Sequence, residues 1–207
     1  MPVVIALFNQ AGGVGKSTLT INIGYHLAEL GSRVLLIDMD PQASLTIFMG
    51  LEPSDLEQTV YDALMNEDPL PVRKDLHNMD LAPSNLNLCL AEQELVTADM
   101  RDTRLKEALN SLQGDYDFIL IDCPPSLGLL SYVSLVAATH ILIPIQTEYK
   151  ALRGTELLIQ TVGRVKRRAN KGISIAGVIP TMHNARTVQG DASLQAIKEQ
   201  LSQVGKV

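Results

Sequence analysis

Runs of consecutive apolar residues recur along this chain, and they lack the polar alternation that a half-exposed strand would show. Such continuous runs are typical of strands that are covered on both faces, as in a parallel sheet. The predicted strands are Val3–Phe8, Val34–Ile37, Met79–Ala82, Phe118–Ile121, Ile141–Ile145 and Ile173–Ile179. We therefore expect a sheet whose two faces are both buried.

Between these runs, apolar residues return at helical spacing. In the segment Lys16–Leu30, one face is predicted to carry Leu19, Ile23, Leu27 and Leu30, and Gly31 is placed to end the helix. The alternation of strands and helices predicts the α/β class, with a doubly wound, mostly parallel sheet, helices on both faces and a single domain over residues 1–207. The other predicted helices are Thr59–Met65, Arg101–Leu112, Gly154–Ala169 and Asp191–Leu201.

Composition narrows the class of protein. Hydrophobic residues make up 46% of the chain and charged residues 19%, which is typical of a folded globular domain. No apolar run reaches the roughly 18 residues of a membrane span, and the N-terminus has no secretory signal, so we expect a cytoplasmic protein. Cys89 and Cys123 lack metal-ligand spacing and are predicted to be buried thiols. Gly50–Asp75, rich in proline and acidic residues, is predicted to be a surface excursion.

The first chemical motif follows the first predicted strand, and it reads Gly12-Gly13-Val14-Gly15-Lys16-Ser17-Thr18. Backbone N–H groups of such a loop can cradle phosphate oxygens, and the helix that follows adds its positive end. In this pattern the lysine contacts the terminal phosphates and the serine binds Mg²⁺. The sequence therefore predicts a nucleoside triphosphate site, although Gln10 stands where the standard pattern has its first glycine. The alternative is a glycine-rich turn that binds no ligand.

Two further predicted strands end in carboxylates. One runs into Asp38 and Asp40, which would share a side if the chain stays extended. We assign Asp40 to positioning the attacking water and Asp38 to the metal and its waters, so that Lys16, Asp38 and Asp40 form the predicted catalytic set. The other strand runs into Asp122, which is predicted to reach Mg²⁺ directly or through water. The alternative for Asp38 and Asp40 is a capping or turn role before Pro41.

These motifs together resemble those of the ParA/MinD-type ATPases. The resemblance rests on Asn9–Thr18, Leu36–Gln42, Ile121–Pro125 and Pro144–Tyr149, and it spans nearly the whole chain. It implies a P-loop NTPase fold, ATP and Mg²⁺ as ligands, adenine near Thr181, and an ATP-dependent homodimer. It also implies slow hydrolysis that a ParB/McdB-like adaptor stimulates, in a cycle that positions plasmids, chromosomes or protein compartments over nonspecific DNA.

The chain departs from the family pattern in two respects. The family carries a signature lysine before Gly12, where this chain has Ala11. Lys150 is our candidate for a substitute cation, with a solvated surface lysine as the alternative. The absence of the signature lysine is similar to McdA-like proteins, the carboxysome-positioning branch, which gives the leading hypothesis for cargo. The family also continues past the position of Val207 with a strand and a terminal helix, so we expect a short or truncated member.

One dense basic run stands out in a chain whose net charge is −6. On a helix, Arg164, Arg167, Arg168 and Lys171 fall on one face because they are spaced by three and four residues. Contacts from this face to DNA phosphates, doubled in a dimer, would give salt-dependent binding without base reading. The alternative is that the helix dipole alone favours basic residues at a helix end. By the resemblance, Arg186 matches an arginine that the family often uses on DNA.

The leading hypothesis is therefore a nucleoid-associated positioning ATPase. The second is a MinD-like ATPase that acts on a membrane surface and needs an amphipathic, basic C-terminal helix. Ala196–Val207 has few bulky apolar residues, so no membrane partner is expected. A third hypothesis, a metal-cluster carrier, would need paired cysteines at a dimer axis. A fourth is a nucleotide-gated binding module with negligible turnover, and the three aspartates at strand ends argue against it.

Overall fold

The computed structural model describes residues 1–112, 114–184 and 186–201, apart from the side chains of residues 149–153, 188 and 189. Its strands are β1 (Val3–Leu7), β2 (Val34–Asp38), β3 (Arg73–Leu76), β4 (Met79–Ala82), β5 (Phe118–Asp122), β6 (His140–Gln146) and β7 (Ser174–Thr181). They form a 7-stranded sheet in the order β3-β4-β2-β5-β1-β6-β7. Each neighbouring pair is parallel except β3 with β4. This arrangement confirms the predicted doubly wound, mostly parallel α/β class.

The edge strand β3 is not among the predicted strands, because three of its four residues are charged and exposed. It forms a hairpin with β4, and Leu76 lies opposite Met79. The two residues between them, His77 and Asn78, have φ values of 54° and 63°. This left-handed turn matches the twist of the flanking strands. Asn78 is a residue type that favours such a turn, but no apolar run in the sequence predicted the strand β3.

Eight helices, among the described residues, pack around the sheet. They are α1 (Lys16–Glu29), α2 (Ser44–Phe48), α3 (Val60–Met65), α4 (Leu88–Glu94), α5 (Arg104–Asn110), α6 (Leu129–Ala137), α7 (Tyr149–Arg168) and α8 (Val188–Leu201). The helices α2, α4 and α6 were not predicted. The first two are too short to show a period, and α6 is buried on nearly all sides, so it has no polar face to reveal one.

The core lies on both faces of the sheet because successive residues of a strand point to opposite sides. In β2, Leu35 and Ile37 pack into one apolar cluster, while Leu36 packs into a second cluster on the other face. Residues of β5 divide in the same way. This double burial explains why the predicted strands read as unbroken apolar runs.

The segment Gly50–Asp75 is only partly the surface excursion that the sequence predicted. It begins with a 3₁₀ turn at Pro53–Asp55 and continues into α3, whose capping box at Thr59 fixes the start of the helix. Val60 and Leu64 are completely buried in the core. Acidic and proline residues mark the turns of this segment, whereas its apolar residues hold it against the sheet.

None of the helices in the described part of the chain has the length and hydropathy to cross a bilayer.

Candidate functional site

The glycine loop joins β1 to α1 at the carboxyl edge of the sheet. Gly13 and Gly15 adopt left-handed conformations, with φ values of 73° and 89°, and Gly15 caps the start of α1. Glycine is the residue type that accepts this backbone geometry without strain. Val14, between them, is buried and anchors the loop to the core. The loop therefore presents its backbone to a cleft while one side chain holds it in place.

The cleft above this loop has a volume of about 260 Å³. It lies at the carboxyl ends of parallel strands, where open α/β sheets bind their ligands. Its lining contains most of the predicted phosphate-binding residues, together with residues from α2 and from the segments after β2, β5 and β7. The lining residues are Gly12, Gly13, Gly15, Lys16, Ser17, Thr18, Asp40, Ser44, Phe48, Pro125 and Met182.

Lys16 is buried, and its ammonium donates a hydrogen bond of 2.8 Å to the carbonyl oxygen of Ala11. Burial lowers the pKa of Lys16, while the nearby Asp122 is the largest influence in the opposite direction. The lysine thus folds back onto its own loop. A ligand with phosphate oxygens in the cleft would compete with the Ala11 carbonyl for the ammonium.

Asp122 ends β5 beside the loop, and it is 1% exposed. Neither of its carboxylate oxygens accepts a hydrogen bond of normal geometry, although the Ser17 hydroxyl lies close enough to favour the charged form. Burial, and after it the negative charge of Asp38, raises the pKa of Asp122 to about 8, although Ser17 and Lys16 oppose the shift. A buried carboxylate without partners is costly unless a cation neutralises it. The arrangement is therefore suited to a metal ion.

Asp38 ends β2 at the register position next to Asp122, but its surroundings differ. Its Oδ2 accepts hydrogen bonds from the backbone N–H and the hydroxyl of Thr46, at 2.9 and 2.7 Å, and its Oδ1 accepts one from the N–H of Asp40. Burial raises the pKa of Asp38 to about 6, against the effect of the Thr46 bonds. The predicted metal role of Asp38 must therefore compete with three bonds that hold α2 and the following turn. Thr46 was not identified from the sequence, because a threonine in a short helix carries no motif.

Asp40 lies beyond the end of β2, so the extended geometry that would place it on the same side as Asp38 does not persist. Its side chain is half-buried and lines the cleft, where Oδ1 accepts a hydrogen bond of 2.9 Å from the N–H of Gln42. Asp38 is completely buried and faces Thr46 instead. The two carboxylates therefore occupy separate environments, and Asp40 is the one that faces the cleft.

Thr181, at the end of β7, lies beside the glycine loop. Its hydroxyl oxygen is buried without a hydrogen-bond partner, and its methyl group is 4.0 Å from the position that a Cβ on Gly15 would occupy. The structure thus brings this predicted ligand residue to the loop. Two apolar side chains at the cleft mouth, Phe48 and Met182, are 55% and 61% exposed. No sequence motif marks these two residues, and only their position after motif segments would have suggested them.

Two side-chain amides connect the start of the glycine loop to the next strand and helix along the sheet. The Nδ2 atom of Asn9 donates a 2.6 Å hydrogen bond to the carbonyl of Pro144, and the Nε2 atom of Gln10 donates one of 2.6 Å to the carbonyl of Gly154. Ala11 borders a second cavity of about 170 Å³, which these amides and Glu148 also line. The side chain of Lys150, the predicted substitute cation, lies outside the described residues.

The predicted basic face is exposed at the end of α7. Arg164, Arg167 and Arg168 belong to the helix, whereas Lys171 follows its last residue and lies in a turn, so the single helical face that the spacing predicted is not complete. Within the described part of the chain, none of these four side chains forms an ion pair. Their charges are therefore available to a polyanion.

Arg186 does not join this cluster. It follows β7 and is exposed at the carboxyl edge of the sheet, where the cleft lies. The basic end of α7 lies at the opposite edge, because Asn170 donates hydrogen bonds to the carbonyls that precede β6, including that of Ala138 at 2.7 Å. One copy of the chain thus presents two separate basic positions instead of one patch.

The two cysteines differ in environment: Cys89 is exposed and Cys123 is buried. The prediction that both are buried is therefore wrong for Cys89, which lies on the outer side of a short surface helix. Burial raises the pKa of Cys123 to about 12, so its thiol stays protonated. Within the described residues, no group of three or more histidine, cysteine or acidic side chains is placed to hold a metal ion.

Comparison with known proteins identifies a family and relatives to which this chain is similar. A family described as an AAA domain matches residues 3–175. The chain is 44% identical over 199 residues to the sporulation initiation inhibitor protein Soj of Bacillus subtilis. The aligned region covers 95% of this chain and 79% of Soj. A Mycobacterium tuberculosis relative of 41% identity is longer, and the chain spans 63% of its length.

Solved structures agree with the fold. A structure of cobyrinic acid a,c-diamide synthase from Mycobacterium smegmatis, with a bound ATP analogue and magnesium, superposes with a TM-score of 0.93 at 36% identity and covers 97% of this chain and 83% of that one. The structure of apo McdA from Cyanothece gives a TM-score of 0.87 at 28% identity, covering 99% of this chain and 83% of that one. Identity to Soj is higher than to McdA, so these comparisons do not single out the McdA-like branch.

Proposed function

Because the chain belongs to the ParA/MinD-type family of Walker ATPases, we propose that it hydrolyses ATP with Mg²⁺ and that this hydrolysis drives a partition or positioning cycle. The observation that carries the proposal is the carboxylate of Asp122, which is buried without partners beside Lys16 and Ser17. A site of this kind favours a divalent cation next to a phosphate loop.

The residues present fit such a ligand. Mg²⁺ is commonly held by one or two protein oxygens, with waters and phosphate oxygens completing its shell, so Ser17 and Asp122 are a sufficient protein contribution. When bound, Mg²⁺ neutralises the charge that develops on the phosphates. Lys16 leaves the Ala11 carbonyl to contact the terminal phosphates, while N–H groups of residues 12–18 surround the phosphate oxygens. Asp38 holds the turn after β2 through its bonds to Thr46 and Asp40.

Asp40 is our candidate for orienting the attacking water, because it is the carboxylate that reaches the cleft from the end of β2. The Asp40→Ala variant should bind ATP with unchanged affinity but hydrolyse it at least about 100-fold more slowly, as expected when a positioning group is lost. The matched control is Asp55→Ala, which changes an exposed aspartate in the 3₁₀ turn after α2 and should hydrolyse ATP normally. Unimpaired hydrolysis by Asp40→Ala would remove this residue from its role.

We further propose that ATP brings two copies of the chain together across the cleft mouth. Phe48 and Met182 support this arrangement, since they expose apolar surface next to the nucleotide site. Lys150 is the proposed replacement for the cation that Ala11 cannot supply. Light scattering of the Asp40→Ala protein with ATP and Mg²⁺ should report a dimer, and adding Lys150→Ala should reduce the dimer yield while nucleotide binding is retained. A monomer in the presence of saturating ATP would refute the proposal.

The exposed cluster Arg164, Arg167, Arg168 and Lys171 is proposed to bind DNA phosphates without reading bases. Each copy contributes modest affinity, and the ATP-bound dimer doubles the contacts, so nucleotide state controls DNA retention. Arg186 would contribute a second contact site, because it lies at the other edge of the sheet.

Replacing both Arg167 and Arg168 by Glu should abolish DNA retention in a filter assay at about 100 mM salt, with basal ATP hydrolysis intact. The control carries the same charge change at two exposed basic residues elsewhere, Arg73→Glu and Lys106→Glu, and should keep most DNA binding. Equal losses in the two double variants would mean that net charge, not this cluster, governs retention.

The remaining parts of the cycle concern partners. We propose slow hydrolysis that a ParB/McdB-like adaptor stimulates, on nucleoid DNA in the cytoplasm, with a chromosome, a plasmid or a protein compartment as cargo. Support comes from the similarity to Soj and to McdA. The hydrolysis rate should rise when both DNA and the cognate adaptor are present, and a rate that responds to neither would contradict this part of the proposal.

A further inference from the structure

The start of the glycine loop is bonded to the unit that carries the basic cluster. Asn9 donates to the carbonyl of Pro144 in β6, and Gln10 donates to the carbonyl of Gly154 in α7, each at 2.6 Å. The helix α7 has 20 residues and is therefore about 30 Å long. A displacement at Gly154, in the first half of this helix, would be carried along it to Arg164 and Arg168.

Gly154 is matched to the Gln10 amide. A glycine inside a helix is less stable than an alanine, so its presence in α7 calls for a local reason. A Cβ at this position would lie 2.6 Å from the Nε2 atom of Gln10, closer than real Cβ contacts allow. The glycine therefore leaves room for the amide to reach the helix backbone. Gln10 itself stands where the standard phosphate loop has a glycine, which has no side chain to form this bond.

The loop next to Gln10 contains a hydrogen bond that a bound phosphate would break. In this structure the Lys16 ammonium is bonded to the carbonyl of Ala11, the residue that follows Gln10, and the N–H of Ala11 donates to Asn9 at 2.9 Å. Phosphates in the cleft attract the ammonium away from that carbonyl. The peptide that joins Ala11 to Gly12, one residue after Gln10, is thus bonded to Lys16 here and would be released when phosphates bind the ammonium.

We propose that Gln10 is a positioning residue that couples the phosphate loop to helix α7, so that ATP in the cleft alters the backbone of α7 through the Gln10–Gly154 hydrogen bond. The consequence for the basic cluster rests on the DNA binding proposed above, whereas the coupling itself does not. ATP binding and α7 order are therefore linked through one amide, and the bond on the opposite side of the loop, from Asn9, fixes the strand end against which the amide moves.

Hydrogen exchange of the full chain tests this coupling. Amides of residues 155–161 are compared with and without ATP and Mg²⁺, in the wild type and in Gln10→Met, which keeps the side-chain length but loses the donor. The wild type should show a change in protection of about tenfold, and Gln10→Met should lose most of it, because one hydrogen bond contributes about a threefold to tenfold effect. The control, Gln160→Met, removes an exposed glutamine from the same helix and should behave as the wild type.

A second variant approaches the bond from the helix. Gly154→Ala should displace the amide and suppress the nucleotide-dependent change to the same extent, even though alanine favours the helix. The double variant Gln10→Met with Gly154→Ala should be no worse than either single variant, since both remove one interaction. Melting temperatures of the three variants separate a loss of coupling from a loss of fold.

Calorimetry on the wild type separates the two proposals. Absence of ATP binding would overturn the proposed function together with the coupling. ATP binding without any change in residues 155–161, or a full change in Gln10→Met, would overturn the coupling alone. If the coupling holds, the ratio of DNA affinities with ATP and with ADP should fall about threefold to tenfold in Gln10→Met. An unchanged ratio would overturn the link to the basic cluster.

Discussion

The ends of β2 and β5 carry the same residue type at paired register positions, yet the two aspartates have different surroundings. Asp38 accepts three hydrogen bonds, chiefly from Thr46, whereas Asp122 accepts none. Both are buried, and burial raises the pKa of Asp38 to about 6 and that of Asp122 to about 8. The two carboxylates are buried to nearly the same extent, so they differ in the hydrogen bonds that each one accepts.

This comparison distinguishes a carboxylate that the fold already bonds from one that it leaves without such bonds, and the metal role of each stays a prediction. The bonds to Asp38 fix α2 and the turn that presents Asp40 to the cleft, so its negative charge is offset within the fold. The negative charge of Asp122 is opposed only in part, by Ser17 and by Lys16, and Lys16 is itself bonded to Ala11. A buried charge that the fold leaves unpaired is a common sign of a functional site. Changing each aspartate should therefore affect different properties.

The largest effect is expected from Asp122→Asn. The amide keeps the size of the side chain but cannot offset a metal charge, so ATP hydrolysis with Mg²⁺ should fall at least about 100-fold. Without metal, the variant should melt at a higher temperature than the wild type near pH 8, because a costly buried carboxylate has been removed. Steady-state hydrolysis and thermal unfolding in a chelator measure the two outcomes.

Asp115→Asn is the matched control for this prediction, since Asp115 is exposed just before the other end of β5. It should change neither hydrolysis nor melting temperature. If Asp122→Asn hydrolysed ATP at the wild-type rate, Asp122 would not be a metal ligand and the contrast with Asp38 would have no functional meaning.

A smaller effect is expected from Thr46→Val, which tests the structural half of the comparison. The hydroxyl donates to Asp38 at 2.7 Å and accepts from the N–H of Ser84 at 2.9 Å, and valine can do neither. The free energy of unfolding should fall by about 2 kcal/mol, measured by urea denaturation. Thr46→Ser keeps the hydroxyl and should recover most of the loss. Equal losses in both variants would assign the cost to the methyl group instead.

Much of the fold and of the phosphate loop could be predicted because both depend on local patterns. Apolar runs predicted the strands that are buried on both faces, and the residues Gly12–Thr18 follow the spacing of a phosphate-binding loop. Partners could not be predicted where they come from distant segments. Thr46 and Ser84 meet Asp38 and Asp40 only after the sheet has formed, and neither residue type carries a signature.

The basic face shows the limit of spacing arguments. The spacing of three and four residues placed Lys171 with Arg164 and Arg167, but α7 ends at Arg168. Asn170 ends the helix region by bonding three carbonyls near the end of α6, and that is a tertiary contact. Likewise, the separation of Arg186 from the cluster follows from strand direction, which residue spacing alone does not reveal.

The last prediction concerns the pH dependence of stability, whose effect per pH unit is the smallest of the three. An aspartate has a pKa of about 3.9 in an unfolded chain, so between pH 5 and 8 the folded protein holds a proton on Asp122 that the unfolded chain has lost. Folding therefore takes up a proton, and the stability of the metal-free protein should fall as pH rises, by at most about 1.4 kcal/mol per pH unit for this group. The slope should flatten above pH 8.

Urea denaturation in a chelator, at several pH values from 5.5 to 8.5 (about one unit apart), measures this slope. Asp122→Asn removes this proton uptake and should make the plot of stability against pH flatter. The slope that remains comes from Asp38, whose smaller contribution ends near pH 6. Asp68→Asn, at an exposed aspartate, should keep the wild-type slope. A wild-type profile that rises with pH would mean that Asp122 is ionised and paired within the fold, and the distinction between the two strand ends would then be lost.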